Sequence, residues 1–192
     1  MIDCLRRRLP RPAIRLAKRL RDHLDSRLHP WRRRNALATF QGLPPNATIL
    51  VLCHGNICRS PFAGILLQAG LGQHARIDSA GFLEGGRPSP ATAVEAAREL
   101  GVDLSAHRSV QVTKVHAAAA SLVLVMDTAQ RRRFRSQFPQ SKSRVLVLSD
   151  LETRFHAPRG TPDPFDQPIE TFREVYRRIS EALDATISLT SR

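Results

Sequence analysis

The chain has 192 residues, 42% of them hydrophobic, and a formal net charge of +13. That length admits one domain of about 150 residues plus an appendage, and the apolar content is ordinary for a soluble globular protein. No stretch approaches the roughly 20 apolar residues that cross a bilayer, and three cysteines, two of them in one loop, do not make a disulfide framework.

The charge is unevenly spread. Residues 1–34 carry twelve Lys or Arg and three Asp, a net of +9, while the remaining eighteen basic and fourteen acidic residues net only +4. The excess is therefore local to an N-terminal arm. Within it Ala13, Ala17, Leu20, Leu24 and Leu28 recur at three- and four-residue spacing, one apolar stripe of a helix among basic side chains, with Trp31 at its end. Such a helix suits an anionic membrane surface, a nucleic acid, or plain docking on the body of the protein. Without aromatic residues interleaved for stacking on bases, nucleic acid is the least favoured partner. The arm lacks the apolar core of a signal peptide, and it is too acidic and Ser-poor for a transit peptide. No role is expected for Cys4. Gly42-Leu-Pro-Pro-Asn46 reads as a linker. The chain thus divides into a basic extension, 1–45, and a single domain, 46–192.

In that domain Thr48 to Leu52 is a short, wholly apolar strand of the kind buried in parallel sheets. Phe62 to Leu71 reads as a helix, and Arg76 to Gly81 as a second strand. Ser89-Pro90 opens a helix to Leu100 that Gly101 ends. A loop from Leu104 to Ser109 leads to a short helix. Ser121 to Met126 is a third strand, Asp127 to Phe138 a helix with a basic face, and Arg144 to Leu148 a fourth strand. The last helix, from Gln167 to about Leu189, lines up Ile169, Phe172, Val175, Tyr176, Ile179 and Leu183 on one side. Alternating strands and helices imply an α/β fold with three α/β/α layers around a four-stranded parallel sheet.

The first strand ends at Cys53 and the helix opens at Ser60-Pro61, with His54-Gly-Asn-Ile-Cys-Arg59 between. Strand, tight loop, helix start is a geometry that points backbone N–H groups into one concavity and adds the positive end of the helix dipole, so it binds an oxyanion. A cysteine at its base is expected to be a thiolate nucleophile. Arg59 brings a planar fork that matches two phosphate oxygens. Gly55 is expected to permit a turn that other residues resist, Asn56 to tolerate left-handed backbone, Ser60 to cap the helix and Pro61 to be its first residue. Cys53 and Arg59 are thus catalytic candidates, and His54, Gly55, Asn56, Ile57, Cys58 and Ser60 form the candidate anion cradle. Cys58 is placed to trap an oxidised Cys53 as a disulfide, or simply to fill space. A thiolate nucleophile requires a reducing compartment, so the cytoplasm is expected. No metal-ligand spacing is present, and neither metal nor cofactor is expected.

The run Cys53-His-Gly-Asn-Ile-Cys-Arg-Ser-Pro61 resembles the phosphate loop of the low-molecular-weight protein tyrosine phosphatases, and the similarity extends over Thr48 to Leu183. Asp78-Ser-Ala-Gly81, Gly101-Val-Asp-Leu-Ser-Ala-His-Arg-Ser109 and Leu122-Val-Leu-Val-Met-Asp127 resemble further family segments. The resemblance implies that Ser79 and His107 hydrogen-bond to the loop Asn56 and stiffen the cradle. It also implies that Asp163, in Asp163-Pro-Phe165, is the general acid, ahead of Asp127, Asp150 and Asp166. Pro164 keeps that carboxyl on a loop. The implied reaction is hydrolysis of a phosphomonoester through a cysteinyl-phosphate, with a phosphotyrosine protein as substrate and a bacterial tyrosine kinase as partner.

The family pattern breaks at Ala63-Gly64, where many members have Glu, and at the substrate walls, for which Phe82 and Phe165 are the available aromatics. Two rivals remain from the sequence: an arsenate reductase of the same fold that draws on external thiols, since no cysteine follows Cys58, and a non-catalytic phospho-binding module.

Overall fold

The structure, a computed structural model, describes residues 11–190; Cys4 and the rest of the first ten residues lie outside the described residues. Four strands, β1 (Ala47–Cys53), β2 (Ala75–Gly81), β3 (Leu122–Val125) and β4 (Arg144–Val147), form one parallel sheet in the order β2-β1-β3-β4. The helices are α1 (Arg11–Gln41), α2 (Arg59–Leu71), α3 (Ala91–Arg98), α4 (Lys114–Ala119), α5 (Thr128–Gln137) and α6 (Ile169–Thr190).

Successive residues of a strand face opposite sides, and here both sides are buried. Ile49 and Val51 of β1, with Leu122 and Leu124 of β3, pack under α2 and α6, while Leu50, Leu52, Val123 and Val125 face Phe134 and Phe138 of the α5 side. This is the three-layer arrangement expected from the alternating elements. The last helix buries Phe172, Val175, Tyr176, Ile179 and Leu183, the side anticipated from their spacing. Asp127 caps α5, its Oδ1 accepting from the Gln130 N–H at 2.7 Å. The helix opened by Ser89-Pro90 ends at Arg98, two residues short of expectation. Gly101, with φ of 75°, turns the chain, and the Val102 N–H returns to the Ala97 carbonyl.

The arm forms a longer helix than its apolar stripe suggested. α1 passes through Pro30 and runs ten residues beyond Trp31, to Gln41. A proline removes one helical donor, and the carbonyl it leaves unpaired here sits on exposed Ser26. The C-terminal part of α1 docks: Ala36 and Phe40 enter the main core, His29 Nε2 donates to the Glu152 carbonyl at 2.9 Å, and Arg33 Nε donates to the Leu151 carbonyl. The expected stripe lies elsewhere, with Leu20, Leu24 and Leu28 between 45% and 59% exposed.

Candidate active site

Parallel α/β sheets gather ligands at the carboxyl ends of their strands. Cys53 is the last residue of β1, level with Gly81 at the end of β2. The chain leaves β1 through His54 to Cys58 and enters α2 at Arg59. The first internal bond at this helix start runs from the Phe62 N–H to the Cys58 carbonyl. Pro61 has no N–H, so those of Arg59 and Ser60 have no acceptor inside the helix and are free to meet an anion.

Two donors aim at the sulfur. The Asn56 backbone N–H lies 3.2 Å from Cys53 Sγ, and Ser60 Oγ lies 3.1 Å from it. The Ser60 hydroxyl has an alternative acceptor in the Ala80 carbonyl at 3.3 Å. Helix α2 begins one residue before Ser60, and Cys58 occupies the cap position without a side-chain bond. Ser60 is therefore not the cap, and Pro61 is the third helical residue. Its hydroxyl donates to the buried Cys53 sulfur, whereas at a cap its oxygen would accept from a backbone N–H.

The positive φ in the loop, 53°, belongs to Asn56, whereas Gly55 is not in the left-handed region. Gly55 is instead a matter of space, since a Cβ there would collide with the Arg87 guanidinium. Gly81 is more tightly constrained: a Cβ on it would stand 2.7 Å from the Asn56 backbone nitrogen.

Asn56 is fully buried and is the hub of the cradle. Its Nδ2 donates to Ser60 Oγ at 2.9 Å and to Ser79 Oγ at 3.1 Å, and its Oδ1 accepts from the Val110 N–H at 2.8 Å. His107 Nε2 donates to the Asn56 carbonyl at 2.7 Å. Two segments distant in sequence, one at Ser79 and one running from His107 to Val110, thus join the nearby Ser60 in holding one residue in left-handed backbone.

Arg59 is 2% exposed. Its Nη1 donates to the Thr161 carbonyl at 3.0 Å, its Nη2 pairs with Asp163 Oδ2 at 2.5 Å, and its Nε is buried without a partner among the described residues. An unpaired buried donor is costly, and an oxyanion in the loop would satisfy it. Asp163 is half-exposed, on the loop before α6. Of the other carboxylates, Asp127 is occupied as a helix cap and Asp150 is held bidentately by Arg159 at 2.8 and 2.6 Å.

A cavity of about 240 Å³ opens over Cys53, lined by His54, Gly55, Ile57, Cys58 and Arg59 of the loop and by Leu83, Arg87, Asp163 and Phe165. All the loop candidates except Asn56 and Ser60 thus reach the cavity, and those two act from behind it. Phe82 lines a neighbouring cleft instead, with the Arg133 guanidinium 4.7 Å from its ring centre. Cys53 and Cys58 are both free and buried. Burial, then Cys53 and Asp163 nearby, push the Cys58 thiol up to about 12, so it stays protonated at neutral pH.

Sequence reasoning missed several contributors. Arg87 Nη2 donates to the Gly55 carbonyl at 3.2 Å, and nothing in the Gly85-Gly86-Arg87 run signals it. The spacing puts Tyr176 on the core side of the last helix, but its hydroxyl also donates to the Cys58 carbonyl at 3.2 Å. Thr161 takes part through its backbone, which residue type does not reveal.

The family model for low molecular weight phosphotyrosine protein phosphatase matches residues 48–190. A probable low molecular weight protein-tyrosine-phosphatase, EpsP, of Ralstonia nicotianae is 36% identical over 140 residues, covering 73% of this chain and 93% of that protein. A protein-arginine-phosphatase of Geobacillus stearothermophilus is 31% identical, covering 71% of this chain and 90% of its own. Among solved structures, Vibrio vulnificus Wzb in complex with benzylphosphonate superposes with a TM-score of 0.66 at 31% identity, over 74% of this chain and 97% of that one. With a parallel sheet presenting Cys53, Arg59 and Asp163 around one cavity, and with matches of this extent, the chain belongs to the low molecular weight phosphotyrosine protein phosphatase family.

Proposed function

We propose that this protein hydrolyses phosphotyrosine in proteins through a cysteinyl-phosphate intermediate. The observation that carries the reading is the convergence of the Cys53 sulfur, the Arg59 guanidinium and the Asp163 carboxylate on one cavity at a helix start. Cys53 as thiolate attacks phosphorus, forming the Sγ–P bond as the P–O bond to the phenol breaks. Arg59 and the N–H groups of the loop from His54 to Ser60 hold the three equatorial oxygens. An arriving phosphoryl group competes with Asp163 for Arg59, which leaves Asp163, as the acid, to give its proton to the departing oxygen. Asp163, now a carboxylate, then takes a proton from water as the water oxygen bonds to phosphorus. The S–P bond breaks, inorganic phosphate leaves, and Ser60 stabilises the released thiolate. Ser79 and His107 act through Asn56, which keeps the cradle from relaxing.

One of the relatives is named for phosphoarginine rather than phosphotyrosine. The mouth favours the latter. Ile57, Leu83 and Phe165 give it apolar walls, and Arg87 adds a cation. An aryl ring suits such walls, whereas a second guanidinium would be desolvated beside Arg87. Phosphotyrosyl proteins are then the substrate class, a bacterial tyrosine kinase is a partner of the right chemistry, and the cytoplasm supplies the reducing conditions that the thiolate needs.

The test is turnover of phosphotyrosyl and phosphoarginyl forms of one peptide by the wild type and Cys53→Ser. The expected result is a higher kcat/KM on phosphotyrosine and turnover abolished by the substitution. A preference for phosphoarginine, or wild-type rates without the thiol, would overturn the proposal.

A further inference from the structure

Helix α1 has two opposite faces. One meets the catalytic body through His29, Ala36 and Phe40, each buried. At about 100° per residue, Leu20, Leu24 and Trp31 stand on the other side of the helix axis from those three. Their exposures agree: Leu16, Leu20, Leu24, Leu28 and Trp31 are all 45% to 59% accessible. The apolar stripe of the arm therefore does not hold the helix to the protein, and docking leaves it pointing outward.

The charges around it limit what can cover it. Arg21 and Arg32 pair with Asp22 and Asp25, the two acidic residues of the helix. Among the described residues, Arg19, Arg27 and Arg34, which by the same count lie beside or within the stripe, have no ion-pair partner, and neither have Arg15 and Lys18 on the opposite side of the axis. A second copy laid along the stripe would bring two strongly positive helices together, at a repulsive cost. An anionic surface is complementary. The stripe is flanked by long arginines whose stems can lie among acyl chains while their heads stay among phosphates, and ended by a Trp suited to the headgroup layer. No helix among the described residues is long and apolar enough to cross a membrane.

We infer that the outward face of α1 is a docking surface for an anionic lipid bilayer, on which the helix lies flat with the catalytic body on its far side. The inference goes beyond the phosphatase reading and does not need it, because binding is measured without turnover. Where both hold, the site works within reach of phosphoproteins at a membrane.

The experiment sediments the full chain with phosphatidylcholine vesicles with and without phosphatidylglycerol, at low and high salt. Binding is expected only to the anionic vesicles and should weaken with salt. Leu20→Ser and Leu24→Ser should each weaken it roughly tenfold by removing a buried leucine. Arg27→Gln and Arg34→Gln should each cost about fivefold by removing a cation near the surface. All four should turn over p-nitrophenyl phosphate like the parent, which checks folding, and Cys53→Ser should bind vesicles like the parent. No binding at low salt, equal binding to neutral vesicles, or binding indifferent to the leucines would overturn the inference. So would a dimer that Leu24→Ser dissolves while vesicles are ignored, or a requirement for an acidic protein in place of lipid.

Discussion

Ser60 Oγ lies 3.1 Å from Cys53 Sγ, both side chains buried and seven residues apart in the chain. The hydroxyl is oriented from behind by Asn56 Nδ2, which leaves its proton free to point at the sulfur. A hydrogen bond to a charged group contributes about 1.5–3 kcal/mol, so Ser60→Ala should slow release of the thiolate from phosphorus by about ten- to a hundredfold. In stopped flow the variant should show a burst of phenol followed by slow turnover. A uniform loss of burst and steady state together would instead place Ser60 in the first step.

Asp163 and Arg59 form an ion pair at the mouth of the cradle, one half-exposed and the other buried. As proton donor, Asp163 matters most when the leaving oxygen is basic. Asp163→Asn should reduce kcat on phenyl phosphate by about 10²–10⁴-fold and on p-nitrophenyl phosphate by less. Equal losses on both would show that the carboxylate only positions Arg59.

Cys58 is raised from an ordinary thiol value to about 12, chiefly by burial. A raised value means that the folded state keeps its proton where an unfolded thiol would lose it. Cys58 is therefore neutral and unreactive at neutral pH, and its folded environment becomes a liability only as pH climbs from 9 toward 12. Iodoacetamide at neutral pH should modify Cys53 and spare Cys58, as read by peptide mapping. Stability between those limits should fall less steeply in Cys58→Ala than in the wild type.

Phe40 and Leu24 sit on the same helix, with exposures of 4% and 59%. Phe40→Ala empties core volume and should cost about 3 kcal/mol in chemical denaturation. Leu24→Ala removes nothing that is packed in the isolated protein and should stay within about 0.5 kcal/mol. Equal effects would mean that the outer stripe is covered by the protein itself.

Gly81 has no room for a side chain, since a Cβ would stand 2.7 Å from the Asn56 nitrogen and 2.8 Å from the Gly55 carbonyl carbon. Both neighbours are backbone and can move only by displacing the cradle. Gly81→Ala should lower kcat more than it lowers the melting temperature, whereas Gly72→Ala, strained by its own φ of 55° at the far end of α2, should lower the melting temperature and spare kcat.

Much of the architecture is legible in the sequence. Strand β1 was readable because Ile49 to Leu52 is unbroken and apolar, as a strand covered on both faces must be. Helix α6 was readable because Phe172, Val175, Tyr176, Ile179 and Leu183 keep helical spacing, and the anion loop because its signal is local, a strand end and a helix start within a few residues. Three local readings failed. Ser60, Pro61 and Gly55 carry general preferences for helix caps, first helical positions and turns, but the helix starts at Arg59, Ser60 is engaged by the Cys53 sulfur, and the space at Gly55 is taken by the Arg87 guanidinium.

The sequence alone determined the periodicities, the loop chemistry and the excess of positive charge in residues 1–34, because each depends on residues near one another along the chain. It could not say that Arg87 and Tyr176 reach the loop, that Asp163 meets Arg59, or which face of α1 the body would take. Those depend on which distant segments share a core. Phe40 and Ala36 found the body's apolar surface and His29 its carbonyls, so the leucines on the opposite side were left outward.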